Sequence, residues 1–192
     1  MDTNKSKAGD GTSTIDEYVK IYMTHQNKIH SFYEKDDWKG AIDYINNIQK
    51  RMGKNHWLMM QLALAYIQKR DYVQAKHKLA EALKLHDDCV MIPFFCGVVS
   101  LEEGNRNVAV DFFKMVTGLS VDTIVELSSC PCCAEKHQAQ TVLADSNFLL
   151  SECYGYLGFN DLAKVHRSEH RKAVEEGVDS LYANDAEEND QD

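Results

Sequence analysis

Two short runs carry residue types that could do chemistry. The first is Cys130-Pro131-Cys132-Cys133, with His137 four residues after Cys133. Cys130 and Cys133 have the CxxC spacing of half a zinc knuckle, and on a helix Cys133 and His137 would share a face. A structural zinc ion takes four thiolate or imidazole ligands in a tetrahedron. Cys130, Cys133 and His137 could supply three; Cys132 is poorly placed beside Cys133, and no fourth ligand stands out. Reduced thiols with no cofactor are therefore the expectation, with zinc and a redox-active or acylated thiol as alternatives. The second run, His166-Arg167-Ser168-Glu169-His170, matches the H-x-x-E-H pattern of inverted zinc peptidases. That chemistry needs a further ligand and a closed cleft. Near the end of a charged helix, the run reads as a solvated face. The chain has no glycine-rich phosphate loop, no nucleophile elbow and no paired carboxylates in an apolar setting, so no catalytic residues are assigned and an enzyme is not expected.

The elements that must position these runs follow from composition and spacing. The chain has 192 residues, 44% of them hydrophobic, with two prolines and ten glycines. That suits one domain of long helices. Its net charge of −9 disfavours nucleic acid and anionic membranes as partners. Six of those charges, uncompensated, lie between Asp179 and Asp192, so residues 183–192 are expected to form an acidic disordered tail. Residues 1–13 are polar and read as a second tail, with no apolar leader. The longest apolar run, Val90 to Val99, is far too short to cross a membrane. The six cysteines then read as reduced thiols of a cytoplasmic protein.

A shift of 34 residues superposes the chain on itself. It links Ala41, Ala75 and Ala109; Asp37, Asp71 and Asn105; Ile45, Leu79 and Phe113; and Ile48, Ala82 and Val116. Leu62, Ala63 and Tyr66 mark one helical face, and Ala75, Leu79 and Ala82 mark the next. Lys69-Arg70-Asp71 makes the turn between them, with Asp71 as N-cap. Three units are expected, at about 22–55, 56–89 and 90–123. A fourth at about 144–178 is announced by Gly158-Phe159-Asn160-Asp161-Leu162-Ala163. Ala163 lies 54 residues after Ala109, so about 20 residues are inserted, at roughly 120–139. In the last helix Arg167 and His170 stand where apolar residues are expected, which predicts a wet terminal face. Thr14-Ile15-Asp16-Glu17 is a capping box that starts a helix running to about Tyr33. Cys89, Cys96 and Cys153 read as small core residues. His25, His56, His77 and His86 read as surface or capping histidines.

Over residues 22–123 this pattern resembles the tetratricopeptide repeat family. Met59, Leu62, Ala63, Tyr66, Ala75, Leu79 and Ala82 fill the positions of its motif; Cys96, Gly97, Ala109, Phe113 and Val116 follow in the next unit; Ala41, Ile45 and Ile48 precede. Asp87 stands where the family's closing proline often does. The resemblance implies an all-α, right-handed array of antiparallel helix pairs, eight or nine helices over residues 14–182. It also implies a concave groove lined by the first helix of each pair.

Two stripes should face that groove: Trp57, Met60, Leu64 and Ile67, and, 34 residues on, Met91, Phe94, Val98 and Leu101. Their counterparts in the first unit, Met23, Gln26, His30 and Tyr33, are more polar. One branch of the family clamps acidic C-terminal tails of heat-shock chaperones with Lys, Asn and Arg. The matching positions here hold Gln26, His30, Gln61, Met91 and Phe95, with no cation to meet a carboxylate. The expected partner is instead a protein or peptide with an apolar face, anchored by Trp57, Met60, Met91 and Phe94. The expected function is an adaptor or chaperone-like interaction module. A permanent subunit of a larger assembly, with the stripes buried on a neighbour or a second copy of the chain, is the alternative; a zinc- or thiol-dependent protein centred on the cysteine run comes third.

Overall fold

The computed structural model describes residues 12–127, 133 and 135–186, with side chains described for residues 22–127, 133 and 135–185. The N-terminal residues before Thr12, the thiols of Cys130 and Cys132, the side chains of the Thr14–Glu17 capping box and the tail from Glu187 onward lie outside this description.

The described residues are all-helical, without strands: α1 (Thr12–Tyr33), α2 (Trp38–Met52), α3 (His56–Gln68), α4 (Tyr72–Leu85), α5 (Met91–Glu102), α6 (Arg106–Thr117), α7 (Val121–Leu127), α8 (Lys136–Tyr156) and α9 (Asn160–Glu175), then a 3₁₀ turn at Ala183–Ala186. They stack as a helical repeat array. The pairs α1–α2, α3–α4, α5–α6 and α8–α9 each pack together, and α2–α3, α4–α5 and α6–α8 join one pair to the next.

The repeat is written in the backbone. The turn inside each pair is closed by a bond from the first residue of the second helix's cap back to the first helix: Asp37 N–H to Phe32 O, Asp71 N–H to Tyr66 O, Asn105 N–H to Ser100 O and Phe159 N–H to Tyr154 O, at 2.8–2.9 Å. The residue before each cap takes positive φ: Asp36 53°, Arg70 57°, Gly104 79° and Gly158 82°. This is the left-handed helix stop that satisfies the last carbonyls. In the first two units a non-glycine residue accepts that conformation. Asp37 and Asp71 then start the second helices, accepting from the N–H of Gly40 and Gln74 at 2.8 and 3.2 Å. Asn55 does the same for α3, through Leu58 N–H at 2.8 Å.

The residues matched by the 34-residue shift are the core. Ala41, Ala75, Ala109, Ile45, Leu79, Phe113, Ile48, Ala82 and Val116 are all buried, as are Leu62, Ala63 and Gly97. Each large apolar side chain so buried stabilises the fold by about 1.5–3 kcal/mol. α5 and α6 approach closely at Gly97, where an added Cβ would stand 2.6 Å from the Phe113 ring. A partly buried ion network ties α4 to the segment before α3: Glu81 of α4 pairs with Lys54, which precedes α3, and with Lys78, at 2.8 and 2.9 Å. Those two ammonium groups pull its carboxyl down to about 2.

The inserted segment forms α7 and the first turns of a long α8. Ile124 of α7 and Cys133 are buried in the same apolar cluster as α6 and α8. Of the histidines read as surface groups, His56 is buried at the start of α3, its ring 4.6 Å from that of His86. His25 bonds the Tyr44 hydroxyl at 2.9 Å, and His77 faces Glu81 at 3.1 Å.

The last helix, α9, does have a wet face, with Asp161, Lys164, Ser168, Glu169 and Lys172 exposed, but Arg167 and His170 are not on it. Val178–Ala186 returns across the end of the array. It covers His170, which is wholly buried, and reduces Arg167 to partial exposure. The acids of residues 179–185 therefore do not all belong to a free tail. Gly177, at φ 86°, makes the reversal, with Val178 N–H bonded to Ala173 O at 3.0 Å. In sequence, Arg167 and His170 look like polar substitutions on an open helix; in the fold they have a polar partner strap to meet.

Candidate functional site

The first helices of the first three units, α1, α3 and α5, line one open groove with a cavity volume of about 410 Å³. α1 contributes Tyr22, Gln26, Asn27, Ile29, His30 and Tyr33; α3 contributes Trp57, Met60, Gln61 and Leu64; α5 contributes Met91 and Phe95. The lining contains no Lys, Arg, Asp or Glu. One wall carries the amides of Gln26, Asn27 and Gln61, and the floor is aromatic and thioether.

The eight stripe residues divide. Trp57, Met60, Leu64 and Met91 line the groove; Ile67, Phe94, Val98 and Leu101 do not. Trp57 and Met60 form the floor and are nearly all buried, at 4% and 2% exposure. The Tyr22 ring stands edge-on to Trp57 at 5.2 Å, and the Cys89 thiol meets the Met60 sulfur at 3.7 Å. Ile67 is buried against Ala75, Leu79 and Val99, between α3, α4 and α5. Phe94 is turned into the core, 6.2 Å from the Phe113 ring. Its neighbour Phe95 takes the groove position. Phe94 therefore does not line the groove, and Val98 and Leu101 pack against the cluster built by α6 and α8. The stripe fails at α5 because α8 does not simply repeat the preceding unit. α8 packs on α6, and together α6 and α8 supply the apolar neighbours that α5 turns toward.

All five positions where the chaperone-tail clamp would sit, Gln26, His30, Gln61, Met91 and Phe95, line the cavity. Spacing alone did not pick out Tyr22, Asn27 and Ile29. They belong to α1, whose first unit matches the motif weakly. Met23, which the spacing offered, is 62% exposed and outside the groove. Tyr33 fixes α1 to α3: its hydroxyl donates to Gln61 O at 2.8 Å and lies 3.1 Å from Gln61 Oε1. Burial pushes its phenol far above the ordinary tyrosine range.

The cysteine run is divided by its surroundings. Cys133 is 1% exposed in the apolar cluster, whereas the His137 ring is in solvent and faces Glu135 at 3.3 Å. Cys130 lies outside the described residues. Among the described residues no group of three His, Cys, Asp or Glu side chains is placed to hold a metal ion. Cys96 and Cys153 sit in the helix packing, and burial pushes their thiols up to about 11.

The H-x-x-E-H run is split as well. His166 bonds Asn147 Oδ1 at 2.9 Å and stacks on Tyr154 at 5.6 Å. His170 turns the other way. Its Nε2 lies 2.9 Å from Ser180 Oγ, and that hydroxyl donates to Asp145 Oδ1 at 2.7 Å. With its proton given to a carboxylate, Ser180 is a hydrogen-bond hub and is not poised as a nucleophile.

No family model matches the chain, and no curated protein matches it. Among the described residues no helix is long and apolar enough to cross a membrane.

Proposed function

We propose that the chain is a tetratricopeptide-type interaction module, adaptor or chaperone-like, that takes an apolar helix or extended peptide in the groove of α1, α3 and α5. The observation that carries this reading is the lining itself. An open concave surface without a formal charge, floored by Trp57, Met60, Leu64, Met91 and Phe95, suits apolar side chains. The amides of Gln26, Asn27 and Gln61 can pair with a partner's backbone N–H and C=O groups. An acidic chaperone tail is disfavoured, because no cation lines the cavity to compensate a buried carboxylate. The reading places the protein in the cytoplasm, with no catalytic role and no cofactor.

Leu64 and Met91 are half-buried lining residues, so Leu64→Asp and Met91→Asp charge the groove with less damage to the core than changes at Met60 or Phe94. Val73→Asp, on a 72% exposed position of α4, is the control. Affinity capture from the native source should lose its specific partner with both groove variants and keep it with Val73→Asp, all three retaining helical circular dichroism. Folded groove variants that capture the same proteins as the unmodified chain refute the proposal.

The permanent-subunit reading has one observation in its favour. Tyr156, Phe159, Leu162 and Val165, around the α8–α9 turn, are 71, 54, 45 and 55% exposed. A patch of this kind is a place for a fixed neighbour. Sizing separates the two: a stable soluble monomer supports transient binding, and association through this patch supports a subunit.

A further inference from the structure

At the C-terminal end of the array, Asp145 and Phe148 of α8 face the returning segment. Asp145 is 2% exposed. A buried carboxylate needs partners, and here they come from the returning segment. Asp145 Oδ1 accepts from Ser180 Oγ at 2.7 Å and from Leu181 N–H at 3.1 Å. Ser180 Oγ in turn accepts from Tyr182 N–H at 3.1 Å. Its remaining lone pair faces His170 Nε2 at 2.9 Å, so that nitrogen carries the proton. The hydroxyl thus has its one donor and both acceptors engaged. Two residues on, the Tyr182 ring stacks on Phe148 with centroids 4.4 Å apart and planes 4° apart, while Leu181 between them is 80% exposed. Arg167 closes the site, its guanidinium 4.6 Å from the Phe148 ring and donating to Asp185 O at 3.4 Å.

We infer that the surface of α8 and α9 around Asp145, Phe148 and His170 is a peptide-binding site that the chain fills with its own Ser180-Leu181-Tyr182. Its ligand is a tight turn, closed here by Ala183 N–H to Ser180 O at 3.3 Å, with a hydroxyl side chain two residues before an aromatic ring. The middle residue points to solvent and is unconstrained. A partner bearing that pattern exchanges with the chain's own segment and uncovers Asp145, Phe148 and His170. The inference extends the interaction reading but uses none of the residues that line the α1–α3–α5 groove. The Leu64 and Met91 variants therefore test that reading separately.

A tethered segment competes at an effective concentration on the order of millimolar, so a free peptide sees the site only when the internal copy is weakened. The probe is a fluorescein-labelled peptide of residues 176–186, followed by anisotropy on the full chain and on its Ser180→Ala variant. The variant should bind the peptide at least about tenfold more tightly than the unmodified chain. Peptides carrying Ser180→Ala or Tyr182→Ala should bind the variant at least about tenfold more weakly than the natural peptide. Equal binding by both chains, no binding by the variant, or indifference to the peptide changes overturns the inference. If circular dichroism shows that Ser180→Ala does not fold, the chain variant Tyr182→Ala takes its place under the same criteria.

Discussion

Gly97→Ala tests the close approach of α5 to α6 and, through it, the seating of α5. The new Cβ would stand 2.6 Å from Phe113 Cε1 and 2.9 Å from Cδ1 and Cζ. Non-bonded carbons rest at about 3.5–4.0 Å. Phe113 is wholly buried, so its ring can yield only by displacing neighbours. Two effects oppose. Alanine gains about 1 kcal/mol over glycine in a helix interior, whereas overpacking a filled core costs about 1–3 kcal/mol. An overlap with three ring atoms lies at the upper end, so the net loss should be about 1–2 kcal/mol. For a chain of this length that lowers Tm by about 2–8 °C. The second unit makes the same contact with Ala63 and Leu79, both buried. Phe113→Leu removes Cε1 and Cζ, and alone should cost about 1–2 kcal/mol. Combined with Gly97→Ala it rebuilds the Ala63–Leu79 pair. The double variant should then be more stable than Phe113→Leu alone, with a favourable coupling of about 1–3 kcal/mol. Urea unfolding of the four proteins, followed by far-ultraviolet circular dichroism, measures the cycle. If Gly97→Ala is as stable as the natural chain, or if the two losses add, the 34-residue register does not set this contact.

Acidification should loosen the returning segment. Burial lowers the His170 pKa below 6.5; Arg167 on the same helix lowers it further, and Asp185 opposes. The open state then takes up a proton that the closed state refuses. The closed form has its full stability above about pH 6.5 and loses it as pH falls, by at most about 1.4 kcal/mol per unit for one group. Asp145, raised above 3.8 mainly by burial, works in the opposite direction nearer pH 4, which sets the useful window at about pH 6.5–5. Protection of the Leu181 amide, corrected for intrinsic exchange, should fall across that window and stay flat in His170→Gln; a fall of equal size in both excludes His170 as its cause. The thiols give an independent check on packing. With Cys96 and Cys153 at about 11, roughly one in a thousand of each is thiolate at pH 8. A disulfide reagent should modify them at least about 100-fold more slowly in the native chain than after unfolding, and native reaction at the unfolded rate contradicts the helix packing around them.

The helix pairs were legible because a short-range rule repeats. Ala75, Leu79 and Ala82 recur at fixed spacing, and the N-caps Asp37 and Asp71 sit at the positions where the backbone needs an acceptor. The groove was legible only in part. A 3.6-residue period places Trp57, Met60 and Leu64 of α3 in the cavity lining, but it also offers Ile67, which is buried against α4 and α5. It does not say which of the adjacent Phe94 and Phe95 turns inward. That is decided by what lies on the far side of α5, namely Phe113 and the apolar faces of α6 and α8. The returning segment was hidden for a different reason. Ser180 carries no signal in a stretch dominated by acids, and His170 reads as a solvated residue on a charged helix. The available clue was Asp145, the single carboxylate between Val142 and Leu150. A buried acid requires donors, and the nearby Ser146 and Asn147 spend theirs on the carbonyls of Val142 and Leu143. The donors arrive from 35 and 36 positions away, through Ser180 Oγ and Leu181 N–H. An unexplained charge within a mostly apolar segment is thus the sequence-level mark of a contact that the repeat itself does not make, and here it marks the place where the array meets its own C-terminal segment.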